Sequence, residues 1–97
     1  MTQNRMQSPN DALLLKELKA GSEEAFVAIF NRYCTRLQLE AHYILRDAKQ
    51  ANDVTNDVFT DFWSQRSKLP NQLSLKHYLL SAIRNRCMDI KKRSAAS

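Results

Sequence analysis

The chain has 97 residues, room for one domain but not two, and its 43% hydrophobic content allows a modest core. A single Gly, two Pro and no Asn-Gly or Asp-Gly pair weigh against hairpins and toward long helices with short connections. The formal charge of +5 points to an anionic partner, and no apolar run approaches the roughly 18 residues that cross a bilayer.

Met1 to Asn10 is polar, lacks the apolar centre of a signal peptide and is expected to be a flexible N-terminus. The expected compartment is therefore the cytoplasm. Toward its end, Ser8-Pro9-Asn10-Asp11 reads as a helix start: Ser8 can cap, Pro9 suits the first turn and Asp11 suits the positive end of the helix dipole. A short helix carrying Leu14, Leu15 and Leu18 follows, and Gly21 ends it. Ser22-Glu23-Glu24 then opens a second helix with a cap and acids in its first turn. Phe26, Phe30, Tyr33, Leu37, Ala41 and Ile44 recur at helical spacing and predict one apolar stripe, with an end near Leu45.

Asp47, with Gln50 after it, makes a start like a capping box for a third helix running to about Arg66. Ala51, Val54, Val58 and Phe62 form its inward side. Ser67 to Ser74 is a loop by composition, and Ser74 can cap a fourth helix that buries Leu75, Leu79, Ala82, Ile83, Cys87 and Ile90. Ser94 to Ser97 is small and polar, like the beginning of a linker. The fold expected is all-α: a compact bundle of four helices, one short and three long, over residues 11–93.

Two surfaces exceed what a simple bundle needs. Asp53, Asp57 and Asp61 recur every fourth residue on the third helix, a like-charge spacing that costs roughly 0.2–0.5 kcal/mol per pair. Lys49 stands behind Asp53, but Asp57 and Asp61 have no cation three or four residues away. Asn56 and Thr60 extend the same face. Spacing leaves two readings open, a solvated acidic face and a docking stripe for a basic partner.

The other surface has the opposite sign. Met1 to Leu75 holds nine Lys/Arg and nine Asp/Glu, whereas Lys76 to Ser97 holds six cations against Asp89 alone. At about 100° per residue, His77, Ser81, Arg84, Asn85, Met88, Lys91 and Lys92 share roughly a third of the fourth helix, with Tyr78 at the edge. Cations suit phosphates, while rings and amides suit unstacked bases. A basic solvated face is the bland alternative, and the charge imbalance of the segment favours nucleic acid.

No catalytic grouping or glycine-rich phosphate loop stands in the sequence, so a binding module is expected rather than an enzyme. Cys34 and Cys87 lie far apart on apolar stripes, without a CxxC or Cys/His cluster, and read as thiols in the core. The three aspartates are too far apart along the helix for one Mg²⁺, and neither a metal nor another cofactor is expected.

Three stretches together resemble region 2 of the extracytoplasmic-function sigma factors, the smallest sigma-70-type family. Leu13-Leu14-Leu15-Lys16 through Gly21-Ser22-Glu23-Glu24-Ala25-Phe26 is similar to the family's opening. Ala51-Asn52-Asp53-Val54-Thr55-Asn56-Asp57-Val58-Phe59, then Phe62-Trp63, resembles Ala-Glu-Asp-x-x-Gln-Glu-x-Phe. Tyr78-Leu79, Ile83-Arg84-Asn85, Asp89 and Lys92-Arg93 resemble the Trp-Leu, Ile-Ala-x-Asn and Asp-x-x-Arg-Arg signature.

The resemblance implies a sigma-factor domain for transcription initiation. Asp53, Asn56 and Asp57, with Thr60 and Asp61 on the same face, would dock on the β′ clamp helices of core RNA polymerase. Here Asn52, Asn56 and Asp57 replace the more usual Glu, Gln and Glu, with shorter side chains of similar chemistry. The loop from Ser64 to Ser74, with Ser64, Lys68 and Asn71, would capture a flipped base of the promoter −10 element. His77, Tyr78, Ser81, Arg84 and Asn85 would hold neighbouring bases of the single-stranded non-template strand, and Lys91 and Lys92 its backbone. His77-Tyr78 stands where primary sigma factors carry a tryptophan pair, which implies a weaker wedge. An anti-sigma factor is a further implied partner, a membrane is not, and family members continue past a linker into region 4. The alternatives are a stand-alone helix-turn-helix regulator and a helical protein-interaction adaptor.

Overall fold

The computed structural model describes residues 9–96. Helix α1 spans Pro9–Lys19, α2 Glu23–Leu45, α3 Ala48–Ser64 and α4 Leu75–Ala96, with a 3-10 turn at Arg66–Lys68 and no strand among the described residues. The protein is therefore all-α, with one short and three long helices.

The boundaries have local causes. Pro9 opens α1, where a missing N–H leaves no hydrogen bond unmade; the expected Ser8 cap lies outside the described residues. Gly21 adopts φ 100, a left-handed conformation that costs glycine little, and so ends the helix. Ser22 caps α2 by accepting from the Ala25 N–H at 3.0 Å. Asp47 caps α3 in the same way, accepting from the Gln50 N–H at 2.9 Å. Between them, Arg46 takes the left-handed φ of 57 and donates its N–H to the His42 carbonyl at 2.7 Å.

Pro9 and Asn10, grouped with the N-terminus but also read as part of a helix start, open α1 as that second reading has it. At the other end one expectation is corrected. Ser94 and the two residues after it, placed in a linker, belong to α4. Alanine is the best helix former and serine costs only about half a kcal/mol, so nothing there breaks the helix.

Helix α2 is central, and α1, α3 and α4 all pack on it. The buried residues of α2 are Ala25, Ile29, Leu37 and Ala41, so its stripe is wider than expected. Phe26, Phe30, Tyr33 and Ile44 form a half-buried flank of it. Small and aliphatic groups are the most deeply buried, Tyr33 reaches α1, and the Phe26 and Phe30 rings turn toward α3. There Phe26 meets Phe59 edge-on at 6.3 Å and Trp63 at 5.3 Å, and Phe30 meets Phe59 at 4.8 Å. Such pairs contribute about 0.5–1.5 kcal/mol each beyond their buried area. Helix α4 inserts Leu75, Leu79, Leu80, Ile83 and Cys87, while Ala82 and Ile90 are only half-buried. Leu80 was not among the residues expected inside. No described helix is long and apolar enough to cross a membrane.

Asp11 departs furthest from its expected role. It is 3% exposed and ties α1 to α2: the Tyr33 hydroxyl donates to one carboxylate oxygen, and the Arg32 guanidinium lies 3.4 Å from the other. Burial, and then the hydrogen bond to Asp11 with its charge, push the Tyr33 phenol above the usual range. A phenol held neutral in this way contributes its full stability below the unfolded tyrosine value of 10.0 and loses that contribution as pH rises past it. Replacing Asp11 by alanine removes a charged acceptor from a buried site, a loss of about 2 kcal/mol. The thermal midpoint is expected to fall by roughly 10 °C in calorimetry.

Candidate nucleic-acid and partner-binding faces

Helix α3 divides into two sides. Ala51, Val54, Thr55, Val58, Phe59 and Phe62 face the core, and the Thr55 hydroxyl is satisfied by the Ala51 carbonyl at 2.8 Å. Asp53, Asn56, Asp57 and Thr60 are all exposed on the outer side, and Asp61 is half-buried at its edge. Lys49 approaches Asp53 at 3.4 Å, the one intrahelical relief expected for the row. Thr60 bonds back to the Asn56 carbonyl at 2.9 Å, and the Asn52 amide oxygen accepts from Gln38 at 2.8 Å.

Asp57 and Asp61 do find a cation, on another helix. Arg86 of α4 pairs closely with Asp61 and reaches Asp57 at 3.9 Å. The like-charge cost of the row is thus offset from across the bundle. The pair is surface-exposed, so its contribution stays within about 1 kcal/mol. Asp53, Asn56 and Thr60 remain clear of Arg86.

On α4, His77, Ser81, Arg84, Asn85, Met88, Lys91 and Lys92 are all exposed along one side, as their spacing predicts. Met88 keeps 51% of its surface in solvent, an apolar spot amid polar neighbours. Tyr78 is half-buried, its ring 5.8 Å from that of Phe62, so it sits against the core at the edge of the arc. Two of the six cations of this segment are committed inside the bundle. Arg86 serves the acidic row, and the Arg84 Nε donates to Glu40 Oε2 of α2 at 2.8 Å. Among the described residues no acid pairs with Lys76, Lys91, Lys92 or Arg93.

The loop between α3 and α4 is anchored rather than free. Leu69 is 5% exposed and plugs into the core, and Lys19 of α1 donates to the Asn71 side chain at 2.5 Å. Lys68, on the 3-10 turn, is exposed. An open recess of about 360 Å³ lies between α1 and the loop, lined by Ala12, Leu15 and residues 71–74. Ser64 stands away from it, beside a second recess of about 380 Å³ whose walls include Phe26, Val27 and Trp63. Arg66 covers the Trp63 ring at 4.0 Å, and its guanidinium donates to the Trp63 carbonyl at 2.9 Å. The structure therefore brings Asn71 to one recess and Ser64 to another, with Lys68 on the turn between.

Glu40 and Arg86 were missed in the sequence, although each left a signal. On its helical wheel Glu40 falls at about 60° from Ala25, inside the arc of the buried α2 residues. Arg86 falls at about 180° from His77, among Leu75, Leu79 and Ala82. A charge inside an apolar stripe requires a partner across the interface, and here both partners are found. Asp11 left no comparable signal.

The thiols are set back from these faces. Cys87 is fully buried behind the α4 arc, and burial, then the Glu40 carboxylate, push its thiol up; burial alone does so for half-buried Cys34. A disulfide-exchange reagent is expected to modify Cys34 first and Cys87 only on unfolding, as two kinetic phases would show. Among the described residues no three His, Cys, Asp or Glu side chains come together to hold a metal ion.

Comparison with protein families, curated proteins and solved structures finds no match to this chain.

Proposed function

We propose that this chain is the promoter-melting domain of an extracytoplasmic-function sigma factor, acting in the cytoplasm. In this reading the outer side of α3 docks on the β′ clamp helices of core RNA polymerase. The arc on α4 then grips unpaired non-template bases of the −10 element, and the recess beside Asn71 receives a flipped base. An anti-sigma factor would compete for the same surfaces.

The observation that carries the reading is the outward placement of two unlike surfaces on one small bundle. Asp53, Asn56, Asp57 and Thr60 are exposed on α3, and a mixed row of cations, amide, hydroxyl and ring is exposed on α4. The ion pairs that join the two helices run through Arg86, which lies outside the basic arc, so no residue of the arc is paired with the acidic row. A helix-turn-helix regulator is disfavoured because residues 65–74 make a connection too long for the tight turn of that motif.

The energetics require two partners. Extruding a base costs a few kcal/mol, and stacking it returns roughly 1–3 kcal/mol. One domain sits near break-even on DNA alone, and polymerase contacts tip the balance toward the open strand.

The test is binding of the domain to single-stranded −10 oligonucleotides across a salt series. All six cations engaged would give a log–log slope near −4, whereas the four without an internal acid give about −3. A slope near −3 with preference for single-stranded over duplex DNA is expected. A slope near zero, or tighter binding to duplex, overturns the reading.

A further inference from the structure

Arg84 stands in the middle of the α4 arc, one turn from both Ser81 and Met88, yet it is not a free cation. Its Nε donates to Glu40 Oε2 at 2.8 Å across the α2–α4 interface. The Glu40 side chain is 25% exposed, whereas that of Arg84 is 54% exposed, so the acid lies behind and the guanidinium in front. Using Nε for the internal bond leaves the two terminal nitrogens to meet whatever approaches from outside.

Two physical consequences follow. A neutral pair releases few counterions, so Arg84 adds little to salt-dependent affinity. A phosphate approaching Arg84 also meets the Glu40 carboxylate, whereas an uncharged base edge meets only the donors. An arginine held at one end loses less freedom when its planar fork bonds a second group.

We propose that Glu40 is a positioning residue that holds Arg84 as a charge-neutralised donor fork for the edge of an unpaired base, not for a phosphate. This rests on the single-strand-binding reading above. It assigns selectivity to Arg84 and Glu40, and non-selective affinity to Lys91, Lys92 and the other unpaired cations of α4.

The experiment compares the unsubstituted protein with Glu40→Gln, Glu40→Ala and Arg84→Lys on single-stranded oligothymidine and on the same oligonucleotide carrying each other base at one position. Binding is followed by fluorescence anisotropy from low to high salt, with circular dichroism as the folding control. Glu40→Gln keeps an acceptor for Nε but frees one positive charge. It is expected to steepen the slope by about 0.7 and to tighten oligothymidine binding roughly fivefold at 0.1 M salt, with the ranking of bases kept. Glu40→Ala is expected to steepen the slope equally and to reduce discrimination between bases by about fivefold or more. Arg84→Lys is expected to lose that discrimination with the slope unchanged. Glu40 variants that match the unsubstituted protein in slope, or an Arg84→Lys variant that still ranks the bases, overturn the inference alone. An unsubstituted protein that binds none of these oligonucleotides overturns it together with the DNA-binding reading.

Discussion

Asp53→Arg combined with Asp57→Arg is expected to abolish binding to core RNA polymerase, with a loss of at least about 100-fold. The estimate follows from charge reversal at two adjacent turns of one docking face, where close charge pairs across interfaces are coupled by about 1.5 kcal/mol or more each. Folding should survive. Asp53 is paired only with exposed Lys49, and Arg86 keeps its closer partner, Asp61, when the 3.9 Å contact to Asp57 is lost. Exposed pairs of this kind contribute within about 1 kcal/mol. Far-UV circular dichroism controls for folding, and co-elution with core polymerase reads the effect. A double variant that still co-elutes within threefold of normal reduces the acidic row to a solvated face whose charge Arg86 merely balances.

Replacing Arg84, Lys91 and Lys92 together by glutamine is expected to weaken binding to single-stranded −10 DNA by about 100-fold or more at 0.1 M salt. Each released counterion is worth roughly fivefold at that concentration, so the two lysines account for about 25-fold. The lost Arg84 fork adds at least another fivefold if it contacts a base edge. The salt slope should flatten by at least about 1.4, the share of the two lysines, with any excess over that value reporting the Glu40 carboxylate left without its partner. Polymerase binding should persist, because these residues are exposed on α4 and none of them pairs with the acids of α3. An interaction adaptor without a nucleic-acid role would keep its full activity in this triple variant. The two experiments therefore separate the three readings: each face fails alone in a sigma-type domain, and only one matters in an adaptor or a simple DNA binder.

The helical architecture and nearly all its boundaries were legible in the sequence. Ser22, Gly21 and Asp47 act within one turn of where they stand, through bonds to Ala25 and Gln50 or through a single backbone torsion. The same locality made the outward rows of α3 and α4 readable, since residues three and four apart must share a side of any helix. The rotation of α2 was harder: its large rings formed the more visible pattern, but Ala25 and Ile29 lie deeper. Size drew attention to the rings, whereas three surrounding helices gave the small residues the central place.

By itself the amino-acid order determined four helices, their caps, one acidic side and one basic side, because each depends on contacts a few residues apart. Only the tertiary structure decided which of those charges are spoken for. Arg84 meets Glu40 from 44 residues away, Arg86 meets Asp57 and Asp61 across a loop, and Asp11 meets Tyr33 from 22 residues away. Pairs so distant in the chain depend on how whole helices are rotated and stacked, and that is set by packing of the entire core rather than by any local spacing.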